Sequence, residues 1–172
     1  MKRIPVSIEK MDFRPFGCFY NLKEIGGTGT VNRSEGPDYK DGYTQAPVID
    51  RPGSLGMTIS KPLPFIAEEM ERHLHTQEAL FCAGEPIVFL VAPASEEAER
   101  LEKGPNAEDT VAVLLNPGQV AVLNRGVWHS PAHGLCGETA YYWMAEAYDD
   151  EPTVWRKIEH GPVTVTSEGK RC

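Results

Sequence analysis

One stretch of the sequence decides the fold: Gly118–His133, which reads GQVAVLNRGVWHSPAH. Gln119–Leu123 is a short run of mostly apolar residues and predicts a β-strand. The triplet that follows ends in Gly126 and predicts a tight turn, because glycine accepts backbone conformations that other residues avoid. A second strand is expected from Trp128, and on it His129 and His133 share parity. The stretch therefore predicts strand, turn and strand, with two imidazoles on one side.

Short strand-forming runs separated by turn-forming residues recur along the whole chain. The 16 glycines and 14 prolines separate short runs rich in β-branched and aromatic residues. Ile87–Ala92 is apolar at every position and predicts a central strand, buried on both faces. Glu71–Phe81 and Thr139–Ala147 also read as strands, and Pro64–Met70 is expected to form a short turn of helix. The pattern predicts an all-β sandwich or barrel with a minor helical element.

Length and composition indicate one ordinary globular domain. The chain has 172 residues, of which 41% are hydrophobic and 24% are charged, so it is long enough to bury a core. We expect a single domain over residues 1–172, with strands and loops in 1–60, the barrel in 61–166 and a tail in 167–172.

The charge and the cysteine content indicate which binding partners and which cellular compartment to expect. The formal net charge is −8, which repels phosphate backbones and anionic lipid, so neither nucleic acid nor a membrane is an expected partner. The sequence shows no secretory signal and no apolar run of membrane-spanning length. The four cysteines match no zinc or redox spacing. Free thiols and a cytoplasmic location are therefore predicted.

A second polar stretch precedes the central strand. Glu71, His73, His75 and Gln77 share parity, so on one regular strand all four side chains point to the same side. A barrel lumen is lined by every second residue of each strand, which would bring this stretch and His129 into one cavity. Such a cluster can bind a divalent metal, perform acid–base chemistry or be inert.

These spacings resemble the two cupin motifs. Gly118, Gly126, His129 and His133 stand at the spacing of the second motif, although Asn124 replaces its proline and His133 its asparagine. The first motif is His-x-His-x(3–4)-Glu-x6-Gly, and its frame is filled by Glu71, His73, Gln77 and Gly84, so two of its three polar side chains are changed.

The changed residues are similar to a narrower family, the ureidoglycolate lyases. The similarity rests on Glu71-Arg72-His73, Gln77, Gly84, Gly118-Gln119 and Gly126-x-Trp128-His129-x-Pro131. Phe13-Arg14-Pro15-Phe16-Gly17 resembles the N-terminal signature of that family. The chain departs from the family pattern at Leu74 and Ser130, and it carries an additional His75 and Glu78.

The resemblance implies a single-domain, jelly-roll-like cupin barrel that forms a homodimer. It implies a carbon–nitrogen lyase of the amidine-lyase type, which cleaves (S)-ureidoglycolate to glyoxylate and urea in allantoin degradation and purine metabolism. A divalent ion (Ni, Mn, Zn or Fe) is compatible with it, and no organic cofactor is expected. Two alternatives stay open: another cupin isomerase, epimerase or lyase for a small hydroxy or sugar acid, and a non-catalytic cupin that binds a small molecule.

The candidate site residues follow from both lines of reasoning, each with a structural alternative. The expected catalytic residues, as bases, ligands or substrate hydrogen-bonders, are His73, Gln77 and His129. Substrate binding is assigned to a guanidinium suited to carboxylates and to aromatic walls: Arg72, Trp128, Tyr141 and Trp143. The alternative for Arg72, which has opposite parity to His73, is a dimer partner or solvent, and for the three aromatic residues it is the barrel core or a dimer interface. The metal ligands, if an ion binds, are Glu71, His73, His75, Glu78 and His129. His133 is expected to orient His129 through a hydrogen bond.

Overall fold

The structure is a computed structural model that describes residues 1–82, 84–94, 102–145 and 153–167. Of the predicted tail 167–172, only residue 167 falls in these ranges. That the whole chain forms one domain stays a prediction.

The described residues are almost entirely β-structure, as the sequence predicted. Helical structure among them is limited to the 3₁₀ turns Ile8–Lys10 and Ala107–Asp109. The strands in chain order are β1 Lys2–Arg3, β2 Val6–Ser7, β3 Gly17–Asn21, β4 Gly26–Gly27, β5 Val31–Glu35, β6 Lys40–Thr44, β7 Ser54–Ser60, β8 Phe65–Ala67, β9 Glu69–Arg72, β10 Glu78–Cys82, β11 Ile87–Ala92, β12 Val111–Leu115, β13 Gln119–Leu123, β14 Trp128–His129, β15 His133–Gly134, β16 Thr139–Ala145, β17 Val154–Lys157 and β18 Val163–Val165.

Two large sheets carry the fold. The first has six strands in the order β4-β3-β13-β10-β16-β7, and the second has seven, namely β17-β9-β14-β11-β12-β2 with β15 beside β11. Most neighbours are antiparallel, whereas β2–β12 and β1–β18 are parallel. Smaller sheets are formed by β1-β18-β8 and by the β5–β6 pair. The predicted all-β, barrel-like architecture is therefore confirmed.

The main core lies between the two large sheets. One buried cluster joins apolar side chains of both, for example Leu80 and Leu123 of the first sheet with Phe89 of the second. Alternate residues of β11, such as Val88 and Leu90, pack on the outer side against β8 and β18. Every residue of β11 is buried, so the prediction of a central strand is confirmed.

Two tight turns follow the chemistry of their residues. The Gln119 amide donates to the Asn116 carbonyl oxygen at 3.0 Å, and the Val127 amide donates to the Asn124 carbonyl oxygen at 3.2 Å. The third residue of each turn is a glycine at positive φ, +90° for Gly118 and +77° for Gly126. Only glycine adopts this region at low cost, and Pro117 presets the φ before Gly118.

Two predictions about the segment before β11 are wrong. Pro64–Met70 contains strand β8 and the start of β9 rather than a turn of helix. Glu71–Phe81 is not one strand, because β9 ends at Arg72 and β10 begins at Glu78. The physical reason is topological: β9 belongs to the seven-stranded sheet and β10 to the six-stranded one, so the chain must cross between sheets.

The described cysteines differ in their bonding state. Cys18 and Cys82 are free thiols, but Cys136 is disulfide-bonded, so the prediction of free thiols is wrong for Cys136. Within the part of the chain that is described, no helix has the length and apolar character needed to cross a membrane.

Candidate active site

The site forms where the two sheets face each other. Strand β9 pairs with β14 so that Glu71 lies opposite His129 in the seven-stranded sheet. Glu78 comes from the other sheet, at the start of β10, where it lies between Leu123 and Ala145 of the neighbouring strands. His73 follows β9 directly. The fold thus brings two carboxylates and two imidazoles into the space between the sheets.

The Glu78 carboxylate is the centre of this cluster. Its Oε2 lies 2.8 Å from His73 Nε2 and 3.0 Å from His129 Nε2. The Glu71 Oε1 is 3.8 Å from His129 Nε2. The centres of the two imidazole rings are 5.3 Å apart. His73 and His129 therefore meet at one carboxylate between the sheets, as their motif spacing predicted.

The backbone fixes the orientation of the His129 ring. Its Nδ1 lies 3.2 Å from the Val127 carbonyl oxygen, which can only accept a hydrogen bond, so Nδ1 carries a proton. The other nitrogen, Nε2, then faces Glu78 and is the atom that exchanges protons or binds a metal. His73 has a longer contact, 3.5 Å, between Nδ1 and the Thr153 hydroxyl.

Burial and charge act on the site in opposite directions. Burial alone would raise the pKa of Glu78, but the charges and hydrogen bonds of His129 and His73 outweigh it and lower the pKa to about 2. Burial would lower the pKa of His129, but Glu78 and then Glu71 hold it above its usual value. For Glu71, burial dominates and raises the pKa. Glu78 is therefore the ionised carboxylate, and its charge favours the protonated form of His129.

A cavity of about 290 Å³ opens beside the cluster. Glu71, His73 and Glu78 line it. Its other walls are Thr58, Pro131, Tyr141, Trp143, Ala145 and Thr153. Tyr141, Trp143 and Ala145 alternate along β16 toward this side, whereas the Tyr142 ring stacks on Phe81 at 5.6 Å on the other side. The predicted two-faced character of this strand is confirmed for residues 139–145.

Part of the cluster has the arrangement of a metal site. One ligand atom each of Glu71, His73 and His129 lies within 4.8 Å of the others. Imidazole nitrogens and carboxylate oxygens suit Fe, Ni, Zn and Mn. The Nδ1 bond of His129 to a backbone carbonyl is the outer-shell contact that metal-binding histidines usually make. The residues present therefore fit a divalent ion.

Two of the predicted site residues, Gln77 and His75, lie away from the cavity. Gln77 accepts a hydrogen bond from the Asp50 amide at 3.1 Å, and its side chain does not line the cavity. His75 is exposed, and its carbonyl oxygen accepts a bond from Arg125. The shared parity with Glu71 and His73 was misleading because residues 73–77 are not a strand.

Arg72 and Trp128 lie on the far side of the same strands. The Arg72 guanidinium is 4.3 Å from the centre of the Trp128 indole, and each residue is 1% exposed. Trp128 belongs to the outer core cluster. The structure thus places these two predicted substrate-binding residues in the core, next to each other, while Tyr141 and Trp143 do line the cavity.

His133 does not contact His129. Its Nδ1 lies 3.2 Å from the Lys61 carbonyl oxygen, and its ring stacks on Phe65 with centres 4.0 Å apart. The expectation that it orients His129 is therefore wrong, since Val127 serves that purpose. Ser130, where the family often has histidine, is buried, and its hydroxyl oxygen accepts a hydrogen bond from the Leu90 amide at 3.0 Å.

The sequence contained a signal for Glu78 that the frame of the first motif obscured. Leaving six residues before Gly84 selects Gln77, whereas leaving four residues after His73 selects Glu78. The x(3–4) gap of the motif allows either residue after His73. The charge of Glu78 favours the second count, because a carboxylate can pair with two imidazoles and a neutral amide cannot. No sequence signal pointed to Thr58 or Thr153.

Structural comparison finds epimerases and a ketoisomerase of dTDP- or TDP-linked sugars at low similarity. A dTDP-6-deoxy-D-glucose-3,5-epimerase from Legionella pneumophila, solved with dTDP-4-keto-L-rhamnose, is 8% identical with a TM-score of 0.48 over 72% of this chain and 68% of that one. A TDP-fucose-3,4-ketoisomerase from Campylobacter jejuni is 8% identical, TM-score 0.48, over 79% and 86%. A dTDP-4-dehydrorhamnose 3,5-epimerase from Elizabethkingia anophelis is 10% identical, TM-score 0.48, over 78% and 79%.

The sequence comparisons are more decisive. No curated protein matches the chain. The family model described as ureidoglycolate lyase, in contrast, matches residues 4–162, which is most of the chain and includes every residue of the Glu71, His73, Glu78 and His129 cluster. The family is one of enzymes of the lyase type. The chain therefore belongs to the ureidoglycolate lyase family.

Proposed function

We propose that this protein cleaves (S)-ureidoglycolate to glyoxylate and urea. The observation that carries the proposal is the Glu78 carboxylate, which holds His73 and His129 at hydrogen-bond distance beside a cavity in a chain of this family. The reaction is a carbon–nitrogen bond cleavage, so the enzyme is a lyase of the amidine-lyase type.

The chemistry needs one proton acceptor and one proton donor. Ureidoglycolate carries a hydroxyl and a urea nitrogen on the same carbon. Loss of the hydroxyl proton forms the aldehyde carbonyl, the carbon–nitrogen bond breaks, and the urea nitrogen takes up a proton. Positioned acids and bases contribute roughly 10²–10⁴-fold to such steps. The proton balance closes, since one proton leaves oxygen and one reaches nitrogen.

The geometry suggests which residue takes which part. His129 is paired with ionised Glu78, which raises its pKa, so His129 Nε2 is the proton donor to the departing nitrogen. His73 lines the cavity and touches the same carboxylate, so it is the proton acceptor for the hydroxyl. Tyr141 and Trp143 enclose the substrate and limit the access of water.

A divalent ion at Glu71, His73 and His129 is the metal-assisted form of this proposal. When bound, such an ion supplies charge that lowers the pKa of the substrate hydroxyl. The substrate is a carboxylate, and the described residues that line the cavity include two carboxylates but neither lysine nor arginine. A cation would therefore offset the repulsion between the substrate and Glu71. Its identity as Ni, Mn, Zn or Fe is left to experiment.

The homodimer and the place in purine metabolism are further proposals that rest on the family resemblance. A cytoplasmic location is also proposed; the free thiols of Cys18 and Cys82 support it and the disulfide at Cys136 counts against it.

The decisive experiment measures glyoxylate released from (S)-ureidoglycolate. The enzyme is assayed as purified, after chelation, and after addition of Ni, Mn, Zn or Fe, with the (R)-enantiomer as the control substrate. Turnover of the (S)-form supports the proposal, and turnover that chelation removes and an ion restores assigns the histidines as ligands. Absence of glyoxylate under every condition would reject ureidoglycolate as the substrate.

A further inference from the structure

The segment that separates His73 from Glu78 belongs to no β-strand. Residues 73–77 link β9 in one sheet to β10 in the other, and they contain neither strand nor helix. His73 stands at one end of this link and Glu78 directly after the other. Backbone outside a sheet needs other partners to hold one conformation. The distance between His73 and Glu78 therefore depends on what holds the link.

Those partners come from the tight turn Asn124–Gly126. The Gly126 amide donates to the His73 carbonyl oxygen at 2.7 Å. The Arg125 Nε donates to the His75 carbonyl oxygen at 2.8 Å. The turn thus contacts the backbone of the link at two positions.

Arg125 and Gln77 extend these contacts to a third segment. The Arg125 Nη2 lies 2.7 and 2.8 Å from the two carboxylate oxygens of Asp50. The Asp50 amide in turn donates to the Gln77 side-chain oxygen at 3.1 Å. Asp50, Gln77 and Arg125 form a closed set of contacts around the link, which we call the rim clasp.

The same turn also leads to His129. Val127 follows Gly126 directly, and its carbonyl oxygen accepts the Nδ1 proton of His129. One turn therefore contacts the backbone of His73 on one side and orients the His129 ring on the other. Its geometry sets how the two imidazoles meet the Glu78 carboxylate.

We propose that the rim clasp positions the catalytic cluster, with Arg125 as a positioning residue and Gln77 as its neutral partner rather than a substrate ligand. This inference rests on the proposed lyase function for its kinetic effect. The Arg125 and Asp50 side chains are 36% and 54% exposed, so their ion pair contributes little to global stability. Small displacements of catalytic groups are costly to rate, however, and can reach about a hundredfold for about 1 Å.

The test compares three variants. Arg125→Gln removes the charge and the bond to His75. Arg125→Lys keeps the charge but loses the planar fork, so it should recover only part of the function. Arg14→Gln is the matched control, because Arg14 makes the same kind of exposed two-bond pair with Asp12, at 2.7 Å for each bond, and neither residue lines the cavity.

Two measurements are made on each variant. The first is hydrogen exchange at the Gly126 amide, which reports on its bond to His73 independently of any substrate. The second is kcat and KM for glyoxylate release. For Arg125→Gln we expect faster exchange at Gly126, a fall in kcat of about ten- to a hundredfold, and little change in KM. Arg125→Lys should be intermediate, and Arg14→Gln should match the wild type.

Each contrary outcome has a separate meaning. Unchanged exchange at Gly126 in Arg125→Gln overturns the clasp, whatever the activity. Faster exchange with wild-type kcat overturns its positioning role. A rise in KM alone would make Arg125 a substrate contact instead. If the wild type releases no glyoxylate, the proposed function fails, and the exchange at Gly126 still decides whether the clasp exists.

Discussion

The paired strands β9 and β14 carry different chemistry on their two faces. On the inner face, which points between the two large sheets, Glu71 lies opposite His129, and both belong to the cluster with His73 and Glu78. On the outer face, the adjacent residues, Arg72 after Glu71 and Trp128 before His129, stack within the core. Successive residues of a strand point to opposite sides, so one motif supplies both the site and the packing behind it. A motif match alone therefore does not make all its residues functional.

The two faces should respond differently to substitution. Inner-face residues hold charges that are balanced against each other, and their removal should affect activity and the pH dependence of stability. Outer-face residues are surrounded by apolar side chains, and their removal should affect stability alone. The predictions below use this contrast, beginning with the largest expected effect.

The largest effect is expected from His129→Asn. Asparagine lacks the proton-exchanging nitrogen, so kcat/KM should fall by roughly 10²–10⁴-fold. Steady-state glyoxylate release measures this, and circular dichroism checks the fold. The outer-face control is Trp128→Phe, which keeps an aromatic ring in the core and should retain near-wild-type kcat. A comparable loss in both variants would mean that the inner face has no special role.

The second effect concerns Glu78→Gln and the stability of the buried pair. The folded pKa of Glu78 is about 2 against 4.5 for the free carboxyl, so its contribution is present above about pH 4.5 and is lost as pH falls toward 2. The pKa of His129 is raised above 6.5, so its contribution is present below that value and is lost as pH rises through the folded pKa. The pair therefore stabilises most between about pH 4.5 and 6.5.

In that window, Glu78→Gln should lower the free energy of unfolding by about 3–5 kcal/mol, because breaking a buried pair leaves one charge without its partner. Urea denaturation of both proteins from pH 2 to 9 gives the difference curve. Glu71→Gln is the matched control with the opposite sign. Its folded pKa is raised by burial, so ionised Glu71 opposes folding at neutral pH, and its removal should be neutral or stabilising there. Equal curves for the two variants would contradict the assignment of charges.

The sequence alone was sufficient for the central strand, for the turn before His129 and for the meeting of His129 with His73. The stretch around Asn124–Gly126 encodes its turn through local chemistry, and His129 follows at a fixed spacing, so both were predicted correctly. Ile87–Ala92 was recognised as central because all its residues are apolar. These features depend on residues that are close in the chain.

The other half of the site depends on contacts that sequence patterns do not contain. Whether Gln77 or Glu78 faces the cavity depends on where β9 ends and on the sheet that β10 joins. The parity argument assumed one strand, and the crossing between sheets broke it. Likewise, Arg72 has the chemistry of a carboxylate binder, and although its parity is opposite to that of His73, the sequence did not show that it stacks on Trp128 in the core.

The smallest effect, and the most specific for the two-face contrast, is expected from Arg72→Met. Methionine keeps an apolar stem of similar length but removes the cation over the Trp128 ring, so the free energy of unfolding should fall by about 1–2 kcal/mol. Burial already lowers the pKa of Arg72, which shows that the guanidinium charge is costly where it lies and limits the loss. Arg72→Lys keeps the charge without the planar stacking and should be at least as destabilised. Urea denaturation measures both variants, and kcat/KM for glyoxylate release should stay near the wild type because neither residue of this pair lines the cavity.

A loss of kcat/KM as large as that of His129→Asn, with KM raised, would instead make Arg72 the ligand of the substrate carboxylate. In that case the enzyme would have to turn this residue from the core into the cavity during turnover, and the two faces of the β9–β14 pair would not be independent.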